Sequence, residues 1–282
     1  MTILTGLMIG CPQESYGQSI ELSPVELCRV GRQYEADGKD QEALEYYKKA
    51  AELQDPEGMF LYGDMLRFKP GSIDDKTTGY IWIEKSAKAG YKEAIPIIGW
   101  IYFNGGVEWP RDYSKALPYL LESSDFDQES NTLLGKMYFY GLDVTQDYEK
   151  ALYYLLKSEA NWGEVNYLLT QCYALGLGTE QNNERAQHYW NLLVNSPYSD
   201  SLFCLGHSYY YGILTKQDYT KAATYLQKSA DQNYWPAQFL LSKCYRFGRG
   251  VEQNISKADQ LLGEALYGDY DALLVSKMFN DN

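Results

Sequence analysis

Along most of the chain, small and apolar residues recur at i, i+3, i+4, i+7 and i+8. That spacing lines one face of an α-helix, whereas a strand alternates with period two. Ala43, Tyr46, Tyr47, Ala50 and Ala51 form one such series, and Gly79, Trp82, Ile83, Ser86 and Ala87 another. The predicted helices come in pairs, and the pairs repeat. The segment from Leu134, LGKMYFYGLDVTQDYEKALYYLLKSEA, and the segment from Leu205, LGHSYYYGILTKQDYTKAATYLQKSA, are the same unit.

All copies align on one anchor position, held by Gly31, Gly63, Gly99, Gly135, Thr170, Gly206 and Ser242, at steps of 32, 36, 36, 35, 36 and 36 residues. A small residue here predicts a close approach of two helices, because a mid-helix glycine costs about 1 kcal/mol against alanine and packing must offset it. Three residues on comes an aromatic: Tyr34, Tyr102, Tyr138, Tyr173, Tyr209 and Tyr245. Six residues on comes a helix-ending glycine, which accepts positive φ: Gly105, Gly141, Gly176, Gly212 and Gly248. A second anchor follows at Ala43, Gly79, Ala116, Ala151, Ala186, Ala222 and Ala258. Four residues before it stands an expected N-cap, as Asp75, Asp112, Asp147, Asn182, Asp218 and Asn254. Each unit is therefore an αα-hairpin. One hairpin cannot bury its apolar face alone, so neighbours must stack.

The pattern A-x3-LG-x2-Y-x2-G, followed by D-x2-KA-x2-Y/W-L, resembles the Sel-one-like repeat (SLR) family, a longer-looped relative of the tetratricopeptide repeat. Ala94-Ile95-Pro96-Ile97-Ile98-Gly99 with Tyr102 and Gly105 carries the first half. Lys150-Ala151, Lys221-Ala222 and Lys257-Ala258 carry the second. The resemblance runs from about Val25 to the C-terminus and implies an all-α, right-handed superhelical solenoid of about seven hairpins. Residues 25–56 form a tetratricopeptide-like first unit, because Gly31 and Ala43 are 12 residues apart where the later anchors are 16 or 17 apart. Residues 57–270 hold six SLR units. Residues 271–282 hold a lone helix, Asp271 to Phe279, expected to cap the last apolar face. Residues 1–24 form a leader.

Composition narrows the function. Among 282 residues, 25 Lys and Arg stand against 38 Asp and Glu, a net charge of −13. No cationic excess exists to displace the counterions of a nucleic acid, so none is expected as a partner. The longest strongly apolar stretch, Ile95 to Phe103, is about half of what spans a bilayer. Tyrosine is one residue in ten, 28 of 282, and needs a regular packing scheme. The cysteines Cys11, Cys28, Cys172, Cys204 and Cys244 are widely spaced, which predicts buried free thiols. Met8-Ile9-Gly10-Cys11 resembles the end of a bacterial lipoprotein signal, so Cys11 is a candidate lipidated N-terminus and a periplasmic or anchored protein is the alternative to a cytoplasmic one. The two histidines, His188 and His207, sit in different units outside any metal or catalytic motif, and neither a cofactor nor a metal is expected.

The tetratricopeptide resemblance implies that first helices line a concave face, with groove-facing side chains at anchor −3, +1, +4 and +5. The −3 series is Cys28, Phe60, Pro96, Thr132, Tyr167, Phe203 and Phe239, expected as core. The candidate partner-binding residues are Trp100, Lys136, His207 and Lys243 at +1, with Arg67, Phe103, Phe139, Tyr210 and Arg246 at +4. At +5 they are Tyr140, Tyr211 and Phe247. The aromatics at +4 and +5 are either contact or core residues. The face reads as aromatic and weakly basic, with Arg32, Arg67, Lys136, Lys243, Arg246 and a protonated His207 against Glu35 and Asp64. The expected function is a monomeric, non-enzymatic scaffold that binds a protein segment, its Arg and Lys orienting acidic groups or a C-terminal carboxylate. The alternatives are an immunity or chaperone-like partner of a secreted bacterial effector, and an enzyme or enzyme regulator acting on cell-wall glycan.

Overall fold

The computed structural model describes residues 22–68, 73–105, 109–158 and 162–267. Most of the leader, Cys11 included, and the closing helix at 271–282 lie outside the described residues. Those described form fourteen α-helices and no strand. The pairs are α1 (Pro24–Ala36) with α2 (Asp40–Glu52), α3 (Pro56–Phe68) with α4 (Ile73–Lys88), and α5 (Ala94–Asn104) with α6 (Tyr113–Ser123). Then come α7 (Gln128–Tyr140) with α8 (Tyr148–Lys157), and α9 (Gly163–Leu175) with α10 (Asn183–Val194). The last are α11 (Ser199–Tyr211) with α12 (Tyr219–Ala230), and α13 (Trp235–Phe247) with α14 (Ile255–Tyr267). This is the all-α solenoid that the repeat predicts. None of the described helices is long and apolar enough to cross a membrane.

The periodic residues do what their positions require. A Cβ on Gly63 would come within 2.6 Å of the Gly79 carbonyl, so the two anchors of that hairpin cross almost backbone to backbone. In α7 and α11 a Cβ on Gly135 or Gly206 would meet Leu155 or Leu226 at 2.7 Å. Gly141, Gly176, Gly212 and Gly248 cap their helices in the left-handed region, with φ between 65° and 72°. Asp112, Asp147, Asn182 and Asp218 each accept a backbone N–H three residues on, at Lys115, Lys150, Arg185 and Lys221. Asp75 departs from this pattern. α4 begins at Ile73, which puts Asp75 inside the first turn instead of at the cap, still a place where a helix dipole favours a carboxylate.

The tyrosines pack as a repeated three-part unit. The tyrosine three after the anchor lies parallel to one on the second helix: Tyr102 with Tyr119, Tyr138 with Tyr154, Tyr173 with Tyr189, Tyr209 with Tyr225, at interplanar angles of 2–7°. The cation of the KA or RA dipeptide covers the other ring face. Lys150 lies 5.2 Å from the Tyr138 centroid, Arg185 5.3 Å from Tyr173, and Lys221 5.2 Å from Tyr209. Cys28, Cys172, Cys204 and Cys244 are buried and free.

Candidate functional site

First helices touch one another across neighbouring units, as α1 with α3, α5 with α7, α9 with α11 and α11 with α13. Among the described residues no two second helices contact each other to that extent. The first helices therefore crowd one side while the second helices diverge, and the first-helix side is the inner wall.

The twelve expected contact residues divide on that wall. Phe103, Phe139, His207 and Tyr210 are buried. They are core residues of the wall, the second of the two roles open to the +4 aromatics, and His207 joins them there. Their aromatic neighbours fill the space in front of them: Tyr113 lies edge-on to Phe103, Tyr148 to Phe139 and Tyr219 to Tyr210. Tyr140 and Tyr211 are half-buried against the core. Trp100 and Phe247 are exposed, at 38% and 59%.

The weakly basic face also needs correction, because its cations are already engaged. Arg67 Nε donates to Asp64 at 2.8 Å, Lys136 Nζ to Glu164 Oε2 at 2.9 Å and Arg246 to Asp259 at 2.6 Å, while Arg32 pairs with Glu57. Lys243 lies over the Phe239 ring at 4.8 Å, and burial together with Arg249 pulls its pKa down. Burial holds the His207 pKa at about 3, so this ring is neutral at pH 7.

One part of the wall stays open. A cleft of about 400 Å³, within the range of ligand sites, lies between α3, α5 and α7. The end of α3 supplies Arg67 and Phe68; Phe68 is 70% exposed. α5 supplies Pro96, Ile97 and Trp100, an apolar floor with an indole edge. The start of α7 supplies Glu129, Ser130 and Leu133, with Asp127 at its cap. The Asp127 carboxylate accepts the Ser130 N–H at 2.6 Å, which satisfies the helix end. The Trp100 indole N–H donates to Glu129. Burial, and then the neighbouring Asp127 charge, raise the Glu129 pKa.

Between α9 and α11 the corresponding wall is closed. Tyr167 of α9 and His207 of α11 meet through the tyrosine hydroxyl and Nδ1 at 3.0 Å. Phe203 and Tyr211 pack their rings on the same imidazole. Beyond them Arg249 donates to the Tyr210 hydroxyl and lies between the Tyr210, Tyr219 and Phe247 rings.

Cys28, Asp55 and Glu57 bring three potential metal ligands together. Their bonds explain the cluster without an ion. The Cys28 thiol points to Asp55 at 3.6 Å, Asp55 accepts the Gly58 N–H at 2.8 Å, and Glu57 holds Arg32. Burial and the Asp55 charge push the Cys28 thiol up to about 12.

The twelve candidates leave out Phe68, although it stands in the groove-facing +5 series, and the sequence pattern did not single out Ile97, Asp127 or Glu129. Phe68 was legible as a +5 aromatic. Asp127 carried the signal of a helix cap, since it precedes Gln128-Glu129 and an apolar run.

The Sel1 repeat model matches seven times, over residues 27–55, 56–91, 97–125, 128–161, 158–193, 199–234 and 235–267. Two crystal structures are similar in fold. A Sel1 repeat protein from Oxalobacter formigenes is 23% identical, with 91% of this chain and 76% of that one covered and a TM-score of 0.55. A protective antigen of uropathogenic Escherichia coli strains, displaying an SLR fold, is 23% identical with a TM-score of 0.59. That match covers 92% of this chain, which spans 56% of the antigen's chain. No curated protein sequence matches significantly.

Proposed function

The chain belongs to the Sel1 repeat family, whose members generally mediate protein–protein interaction, and on that premise we propose that it is a non-enzymatic scaffold docking a protein segment in the cleft between α3, α5 and α7. The observation that carries this reading is the exposure of Phe68 and Trp100 beside an apolar floor. Large aromatics in a concave setting are the side chains that dominate interface energetics. The non-enzymatic part is supported by what happens to the reactive groups. His207 is locked against Tyr167, and burial pushes the Cys172 and Cys244 thiols up to about 12, far from a nucleophile's range.

The test is affinity capture with three proteins: the wild type, a Phe68→Ala/Trp100→Ala double variant, and an outer-surface control, Tyr153→Ala on α8. Proteins retained by the wild type and the control but lost from the double variant are the expected result. Identical capture by all three rejects the cleft as the docking site.

A further inference from the structure

Resting on that docking site, we propose that the segment it takes carries a basic residue beside an apolar anchor. The cation settles between the Trp100 ring and the Asp127 and Glu129 carboxylates, and the anchor lies against Phe68 and Ile97. The first argument is the state of the charges around the cleft. Its lining cation, Arg67, is tied to Asp64, and Lys136, one turn beyond Leu133, is tied to Glu164. An acidic ligand would have to displace one of these carboxylates before gaining a partner.

The second argument concerns the end of α7. A helix N-terminus is ordinarily a place for an anion. Here the chain's own Asp127 fills it, so the α7 dipole is already used. What remains on that rim is negative: Asp127 and, two residues on, Glu129, whose ionisation burial and then the Asp127 charge disfavour while Lys136 offsets part of the effect. An incoming ammonium or guanidinium relieves that repulsion, whereas a carboxylate adds to it.

The third argument is the shape of the ligand side chain. Lys and Arg have apolar stems and charged heads, so one side chain covers Pro96 and Ile97 while its head reaches the rim. Trp100 is 38% exposed, and an aromatic ring attracts the same head through its quadrupole. The net charge of −13 adds a long-range term that speeds the approach of basic segments and slows acidic ones.

The experiment selects from a displayed library of random linear peptides on the purified full chain. Affinities of enriched peptides are then measured for wild type, Trp100→Ala, Phe68→Ala, Glu129→Gln and Glu129→Lys, each with a thermal melt matched to wild type. The expected peptides hold Lys or Arg next to an aromatic or aliphatic residue. Their affinity falls about a hundredfold in Trp100→Ala and about tenfold in Glu129→Gln, and Glu129→Lys selects acidic peptides instead. Peptides that need Trp100 but show no basic preference, or prefer Asp and Glu, overturn the charge assignment and leave the docking site standing. Peptides indifferent to both Trp100 and Phe68, or no enrichment at all, overturn the docking site and this inference with it.

Discussion

The middle and C-terminal units use one helical frame and treat the same positions in opposite ways. At +1, Trp100 is 38% exposed on α5, while His207 is 4% exposed on α11. The two seams, α5 with α7 and α9 with α11, differ in their −3 residues. On α5 and α7 these are Pro96 and Thr132, which are short. On α9 and α11 they are Tyr167, which reaches across to the imidazole, and Phe203, which packs on it from one turn back on the same helix. At these two seams a large −3 pair shuts the wall and a short pair leaves it open; Phe60, at −3 on α3, packs on Tyr91 instead.

Breaking the closed half should have the largest effect. His207→Ala removes a buried ring and leaves the Tyr167 hydroxyl without its partner, at a cost of about 3 kcal/mol. Trp100→Ala should cost less, about 1–2 kcal/mol, since that side chain is already partly in water. Because stability in a repeat array is local, amide hydrogen exchange is the suitable readout. Protection should fall across α9, α11 and α13 in the first variant and fall less across α3, α5 and α7 in the second. Equal losses would mean the two walls are not different in kind.

The same histidine gives a pH dependence with a definite sign. Its folded pKa, about 3, lies below the 6.5 of an unfolded chain. The unfolded state therefore binds the proton more readily, and stability from this site is complete above about 6.5. It is lost progressively as pH falls from there toward 3. His207→Gln should remove this part of the acid sensitivity in α9 to α13 while leaving α3 to α7 as they were. An unchanged acid profile would show that the imidazole is solvated.

A second intervention carries the seal from one half to the other. Pro96→Tyr places on α5 the −3 residue that closes α9 against α11. The ring should occupy the cleft and lower partner affinity about tenfold or more, close to 1.4 kcal/mol, with little change in the melting temperature. Competition binding with a peptide selected on the wild type checks this. Retained affinity would break the link between −3 size and groove opening.

The frame was legible in the sequence because it is local and repeated. The anchor glycines, the φ-positive caps and the Asp caps each act within one hairpin, so seven copies of a short spacing specify them. The groove was less legible because its state depends on side chains in different units. Lys136 reads as a free cation until its carboxylate, 28 residues on, is placed beside it. Phe103 and Phe139 read as contact candidates until Tyr113 and Tyr148 are seen in front of them. The tyrosine excess announced a packing scheme, but its partner ring lies 16 or 17 residues on, beyond any helical period.

The tyrosine scheme supplies the smallest expected effect and the control for the comparison. Lys115 lies over Tyr102, stacked on Tyr119, in the middle of the array; Lys221 lies over Tyr209, stacked on Tyr225, in the C-terminal half. Both lysines are mostly exposed and also approach their capping aspartates, at 3.3 and 3.9 Å. An exposed cation–π contact with a weak surface ion pair contributes about 0.5 kcal/mol. Lys115→Met and Lys221→Met should therefore lower local exchange protection slightly and to the same degree. The three groups belong to a single hairpin; the neighbouring unit enters only through the Tyr102 hydroxyl, which donates to Glu84 on α4 and which neither substitution removes. Unequal losses would show that the hairpins feel whether the wall beside them is sealed, and the −3 residue would then tune stability as well as access.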